Sequence, residues 1–199
     1  MYSQSTEKLI KLFCKFPTIG PRVAARFVFY LINTEKENID ELIQAITELK
    51  NKTKICPSCF KSFESENEFC LICSNGGRDK SILCIIEKEM DLETIEKTNK
   101  YKGTYFILGG IITGAKENNK EQIEQKIDKL VEKIKSNGIK EIILALNPTT
   151  EGQNTALFVK RKLEPLGIKI TQLGRGLPIG GELEYADDET LSSAFENRK

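Results

Sequence analysis

Apolar residues in the first fifty positions recur with the spacing of helices. Leu9, Ile10, Leu12 and Phe13 fall near one face of a first helix. The run Lys15-Phe16-Pro17-Thr18-Ile19-Gly20-Pro21 must end it, because two prolines and a glycine cannot continue a helix. Pro21 suits the first position of a second helix, whose buried stripe is Val23, Ala24, Phe27, Val28 and Leu31. A third helix, from about Ile39 to Lys50, is predicted to bury Ile39, Leu42, Ile43, Ile46 and Leu49. Beyond Ser74-Asn75-Gly76-Gly77, which reads as a flexible boundary, the pattern changes. Short apolar runs at Ile82 to Ile86, Thr104 to Leu108, Glu141 to Leu146 and Ile168 to Gln172 alternate with helical stretches near Asp91 to Thr98, Glu121 to Ser136 and Gln153 to Leu163. That alternation predicts a parallel sheet covered on both faces. From Leu173 to Gly181 glycine and proline exclude regular structure, leaving an ordered loop or a partner-binding strap. A short helix of about Glu189 to Glu196 follows, with an Asp cap. Its apolar side of Leu191, Ala194 and Phe195 needs a surface to dock on, its own sheet or another subunit.

Four cysteines stand out from this pattern as two Cys-x-x-Cys pairs, Cys56-Pro57-Ser58-Cys59 and Cys70-Leu71-Ile72-Cys73. Pairs so close together can converge four thiolates on one tetrahedral ion, which predicts a zinc ribbon holding one structural Zn²⁺. No open coordination position is left for chemistry. The rival is a redox role, since Cys-x-x-Cys also lowers thiol pKa. The first residues, MYSQSTEKLIKLF, lack the uninterrupted apolar core of a secretory signal, and no later run approaches a membrane-spanning length. The expectation is a cytoplasmic protein whose thiols stay reduced, which favours the metal. Cys14 and Cys84 sit in apolar contexts and read as small core residues.

Charge adds a distribution rather than a sum. The net charge is only +1, but Met1 to Lys54 carries nine basic residues against six acidic ones, counted along the sequence. Histidine is absent, which removes Ser-His-Asp hydrolysis, Cys-His nucleophiles and His-ligated catalytic zinc. Within the basic segment, Phe-Pro-Thr-Ile-Gly-Pro-Arg looks like the turn of a helix-hairpin-helix motif, presenting backbone N–H groups to a phosphate at a helix amino terminus. Such contacts hold DNA backbone without reading sequence. Lys15, Arg22 and Arg26 are the candidate DNA-binding side chains. The bland alternative is a helical hairpin whose Gly-Pro turn serves packing only.

In a parallel sheet, ligands gather at the carboxyl ends of the strands. Glu87 follows the first such strand, with Glu89 and Asp91 behind it, and Asn147-Pro148-Thr149-Thr150-Glu151-Gly152 follows a later one. A magnesium site for phosphate chemistry would want acids on both loops. The second loop supplies only Glu151, with Asn147 and Thr149 where further acids would be wanted. Solvated loop acids, or a partner-facing acidic patch including Glu87, Glu89 and Glu151, are the other readings.

Taken together, these segments closely resemble the RecR family of bacterial recombination mediators over essentially the whole chain. The likeness rests on Phe16-Pro17-Thr18-Ile19-Gly20-Pro21 as the family's hairpin, on the four cysteines, and on Leu108-Gly109-Gly110 within its Toprim domain. Its most specific parts are Asn147 to Gly152 and Arg175-Gly176-Leu177-Pro178-Ile179-Gly180-Gly181-Glu182-Leu183-Glu184-Tyr185-Ala186-Asp187. Phe16 and Thr18 depart from it, standing where members often carry leucine and glycine. The resemblance implies an α/β architecture: a helix-hairpin-helix region over 1–53, a four-cysteine zinc finger over 54–76, a Toprim domain with a Rossmann-like parallel sheet over 77–173, and a carboxyl-terminal extension over 174–199. It implies a non-enzymatic role in DNA repair by a ring-shaped oligomer, typically a tetramer, that acts on DNA with RecO and RecF and helps load RecA. Localisation would be bacterial cytoplasm, at the nucleoid during repair. In this light Glu87, Asn147, Thr149 and Glu151 form a vestigial Toprim site or a partner surface. Two alternatives stay open, a magnesium-dependent nucleic-acid enzyme using Glu87 and Glu151, and a protein-interaction scaffold that never touches DNA.

Overall fold

The computed structural model describes residues 2–113, 117–174, 176–177, 179–196 and 198, with the side chains of 117–119 left aside. Arg175 and Pro178 of the tail motif lie outside the described residues. The chain divides into two compact units, Met1–Thr53 and Lys54–Lys199.

The first unit contains α1 (Gln4–Phe13), α2 (Pro21–Ile32) and α3 (Lys36–Lys52). Ser3 caps α1 by accepting from Thr6 N, and Pro21 opens α2 behind Gly20. Ala24 and Val28 are buried where α2 meets α1, and Phe13 meets the Phe27 ring edge-on at 6.0 Å. The stripe expected to be buried on α3 is not. Leu42, Ile43, Ile46 and Leu49 are 44–61% exposed in the single chain. The periodicity of α3 is right for an amphipathic helix, but the short α1 and α2 leave that stripe uncovered. Four aligned branched side chains thus form an exposed apolar stripe on this unit.

The second unit begins with the ribbon strands β1 (Lys54–Ile55) and β2 (Ser62–Phe63), paired antiparallel, and the single turn α4 (Leu71–Ser74). Then come β3 (Asp79–Ile86), α5 (Glu89–Lys97), β4 (Gly103–Ile107), α6 (Glu117–Asn137), β5 (Glu141–Ala145), α7 (Thr150–Leu163) and β6 (Lys169–Gln172). The four longer strands form one parallel sheet in the order β4-β3-β5-β6, as the alternation predicted. Period-two alternation divides their side chains between the faces. Leu83, Ile85, Phe106, Leu108, Ile142 and Leu144 pack with Ile123, Ile127, Leu130 and Ile134 of α6 and with Ala156, Val159 and Leu163 of α7. Cys84, Ile86, Tyr105 and Ile107 pack with Leu92 of α5 on the other face. Burial pushes the Cys84 thiol up to about 12, so it behaves as a small inert hydrophobe. Because β3 is followed outward by β4 while β5 returns to its other side, the direction of winding reverses between β3 and β5. That switch point opens a crevice at their carboxyl ends.

The tail carries the short helix α8 (Asp188–Glu196), capped by Asp187, which accepts from Thr190 N at 2.8 Å. Phe195, expected to dock, is 66% exposed, and Ile179, Leu183 and Tyr185 are more than half exposed. No helix among the described residues is long and apolar enough to cross a membrane.

Candidate metal centre and nucleic-acid interface

The two knuckles are built by backbone hydrogen bonds that turn both thiols of a pair inward. Cys56 N donates to Lys61 O at 2.8 Å and Phe60 N to Cys56 O at 2.9 Å, while Ser74 N donates to Cys70 O at the start of α4. Cys56, Cys59 and Cys70 are buried and Cys73 is partly exposed. Their four sulfurs lie within 4.8 Å of one another, with Cys59 and Cys70 at 3.5 Å. A tetrahedral tetrathiolate with metal–sulfur bonds of about 2.3 Å needs sulfurs about 3.8 Å apart. The cluster therefore fits a metal ion. The Cys73 thiol is held below its ordinary value, chiefly by its hydrogen bond with Cys59, and Cys59 is pushed above its own. Neighbouring buried thiols cannot all shed their protons without a cation among them.

The ribbon is fastened to the sheet rather than hung from it. The edge strand β4 has an unpaired side, and there Ile107 N donates to Cys59 O at 2.9 Å. Phe60 takes a left-handed φ of 65°, uncommon for an aromatic residue, and packs its ring edge-on against Phe106 at 5.2 Å. Lys61 bridges Glu89 (3.0 Å) and Glu93 (2.7 Å) of α5, and Glu89 also accepts from Ser62 N. Glu89, one of the acids considered for a partner-facing patch, thus holds the ribbon to α5. Its sequence neighbourhood gave no sign of this, because Ser62 lies 27 residues away.

The hairpin joins α1 to α2 through Phe16 to Gly20. Lys15, Arg22 and Arg26 are all exposed, and among the described residues no carboxylate pairs with them. Arg22 and Arg26 lie one turn apart on the same side of α2, whose first turn contains no acid. Cations at a helix amino terminus are unfavourable against the macrodipole, and an anion bound there would offset both. Thr18 is left-handed, φ 63°, a region that β-branched residues avoid, and its hydroxyl donates to Pro17 O at 2.6 Å. The cost of that conformation for a residue with a Cβ is about 1–2 kcal/mol, set against about 0.5–1 kcal/mol of extra chain entropy that glycine loses on folding. Thr18→Gly is therefore expected to stabilise the first unit by about 0.5–1 kcal/mol, measured as a rise in its urea midpoint. A drop in that midpoint would mean that the turn is not left-handed in solution.

At the switch point, the structure brings Glu87 and Asn147 together. Glu87 is 4% exposed, and its carboxylate accepts from Asn147 Nδ2 at 2.8 Å while pairing with Lys88 Nζ at 2.9 Å. Both oxygens are engaged by donors of this chain. Thr149 is the amino cap of α7, its hydroxyl accepting from Gly152 N at 3.1 Å. Glu151 is exposed in the first turn of α7 and shares no hydrogen bond or ion pair with Glu87 among the described residues. Gly152 permits the loop to close, since a Cβ there would overlap the Asn147 carbonyl. Asp91 is occupied too, accepting from Lys88 N at the start of α5. The paired acids of a magnesium site are not assembled here, and an amide stands where the second acid would be needed.

Comparison with known proteins gives matches in the same order along the chain. Residues 6–50 match the family model described as RecR, helix-hairpin-helix, residues 81–174 match the Toprim domain, and residues 176–199 match RecR, C-terminal. Similar proteins named Recombination protein RecR include one from Rubrobacter xylanophilus, 41% identical over 198 residues that span 100% of this chain and 98% of the relative. One from Chloroherpeton thalassium is 41% identical, covering 98% and 97% of the two chains. One from Chloroflexus aurantiacus is 42% identical over 192 residues, covering 96% and 92%.

Proposed function

The chain belongs to the RecR family of recombination proteins, and from that premise we propose that it is a non-enzymatic mediator of DNA repair that assembles into a tetrameric ring on DNA. In this reading it binds DNA backbone through the hairpin, acts with RecO and RecF, and helps load RecA onto single-stranded DNA. The observation that carries the DNA contact is the exposed Arg22 and Arg26 pair at the acid-free start of α2. The metal in the four-cysteine centre is zinc, whose preference for tetrahedral thiolates the four sulfurs suit. Glu87 and the loop from Asn147 to Gly152 serve as a partner surface on a retired Toprim site. The engagement of Glu87 by Asn147 and Lys88 supports that view over magnesium chemistry.

Self-association has two separate supports. The first unit leaves the α3 stripe of Leu42, Ile43, Ile46 and Leu49 in water, and the second leaves Ile179, Leu183, Tyr185 and Phe195 of the tail so. One self-complementary patch closes a dimer, whereas two independent ones join dimers into a closed tetramer. A ring in turn explains how a chain of net charge +1 holds DNA, since several weak contacts act at high effective concentration. Light scattering coupled to size exclusion tests this with zinc-replete protein. A species of about four times 22.5 kDa that takes up a DNA duplex at low salt is expected. A monomer that takes up none would reject the ring.

A further inference from the structure

We propose that Lys133 of α6, acting through the Ser58 hydroxyl, is the counter-cation and orienting contact of the four-cysteine zinc centre; this rests on the zinc reading above. Four thiolates around one divalent ion leave a net double negative charge, which is costly to bury without a positive partner. Lys133 is half-buried, and no carboxylate pairs with it among the described residues. Its Nζ instead donates into the first knuckle, to Ser58 O at 2.8 Å and to Ser58 Oγ at 3.0 Å. Ser58 lies between the ligands Cys56 and Cys59 and lines one cavity with Cys73 and Lys133. A hydroxyl that accepts from an ammonium keeps its own proton to donate to a thiolate, so Ser58 can relay the cation to the ligand beside it.

The relay sits on the weak side of the centre. Cys56, Cys59 and Cys70 are at most 1% exposed, whereas Cys73 is partly open and borders a cavity of about 420 Å³ that Ser58, Lys80, Lys133 and Asn137 also line. Water, protons and chelators reach the metal from there. Lys126 and Lys129, preceding Lys133 on the same helix, place their ammoniums over the Phe60 ring at 4.8 Å and 5.6 Å. Those two ammoniums are held by the ring face, and Lys126 also donates to Ile107 O at 3.3 Å, which leaves Lys133 as the one that reaches the knuckle. A free anion in the cavity would meet the negative charge of the four thiolates, which argues against reading these lysines as a phosphate pocket.

The test measures zinc transfer from the full-length protein to an excess of chromogenic chelator. Lys133→Met and Ser58→Ala should each release zinc about tenfold faster than the unaltered chain, the double variant no faster than the worse single one, and Lys133→Arg close to normal. In cobalt-loaded protein, Lys133→Met should also shift the thiolate-to-metal charge-transfer band, and Lys133→Arg should not. Folded Lys133→Met that releases zinc at the normal rate overturns the proposal, as does Lys133→Arg behaving like Lys133→Met. Should Lys133→Met fail to fold, Ser58→Ala decides alone: normal release from it overturns the relay. If the unaltered chain takes up no zinc, the zinc reading fails first and this inference falls with it.

Discussion

Changing Cys59 to serine is expected to abolish stoichiometric zinc and to lower the thermal midpoint of the second unit by about 10 °C. The size follows from how the ribbon is built. Structural zinc sites contribute on the order of 10 kcal/mol to folding, and if about a third of that is expressed in a unit of this size, the midpoint falls by roughly 10 °C. Cys59 is the sharpest choice because it does two jobs. Its sulfur accepts from Lys61 N at 3.5 Å inside the cluster, and its carbonyl accepts from Ile107 N at the edge of the sheet. Loss of the knuckle therefore uncovers β4 and loosens the Phe60–Phe106 contact. A strong chelator should reproduce the effect on the unaltered chain. Cys84→Ser controls for thiol loss alone and should leave zinc content unchanged, since that sulfur lies among Ile86, Tyr105 and Ile107. Full zinc and an unaltered melt in Cys59→Ser would show that the ligand set is wrong.

The convergence of the four cysteines was legible because its signal is local: two pairs at fixed spacing suffice. The sheet was legible because alternation of period two and period 3.6 is also local. What covers a face is not. The α3 stripe reads correctly as amphipathic, yet nothing in residues 36–52 tells whether Leu42 and Ile46 face this chain or another one. Contacts between distant segments were equally silent. Ser58 and Lys133 are 75 residues apart, and neither the Ser within Cys-Pro-Ser-Cys nor one lysine among many on α6 announces the other. Thr18 lies between these cases. The sequence flags it as a departure from the glycine expected there, and the structure shows the departure as a left-handed residue rather than a rebuilt turn. At the switch point the missing acid was visible, but the donation from Asn147 to Glu87 needed the strand ends side by side.

Replacing Arg22 and Arg26 together by alanine should weaken DNA binding by a factor of about ten to a hundred at moderate salt and flatten its salt dependence. Each neutralised phosphate contributes about 0.9 to the slope of log affinity against log salt on duplex DNA, so two lost contacts per engaged subunit remove about 1.8. The arginines suit this role because they stand in water one turn apart, with no ion pair among the described residues, at a helix end where positive charge is otherwise unfavourable. Adding Lys15→Ala should take away a further increment of similar kind. In a ring the effect multiplies, because every subunit carries the same deficit and the gain from simultaneous contacts is lost with it. Lys169→Ala is the fitting control: that ammonium is already paired with Glu141 at 3.1 Å, so its removal should leave the slope alone. The change acts through charge at the surface, so the melt of the first unit should stay within about 0.5 kcal/mol of normal. Unchanged affinity and slope in the double variant would move the DNA contact away from the hairpin. The turn around Gly20 would then stand as a packing device, and α3 would become the part of this unit whose exposed face requires a function.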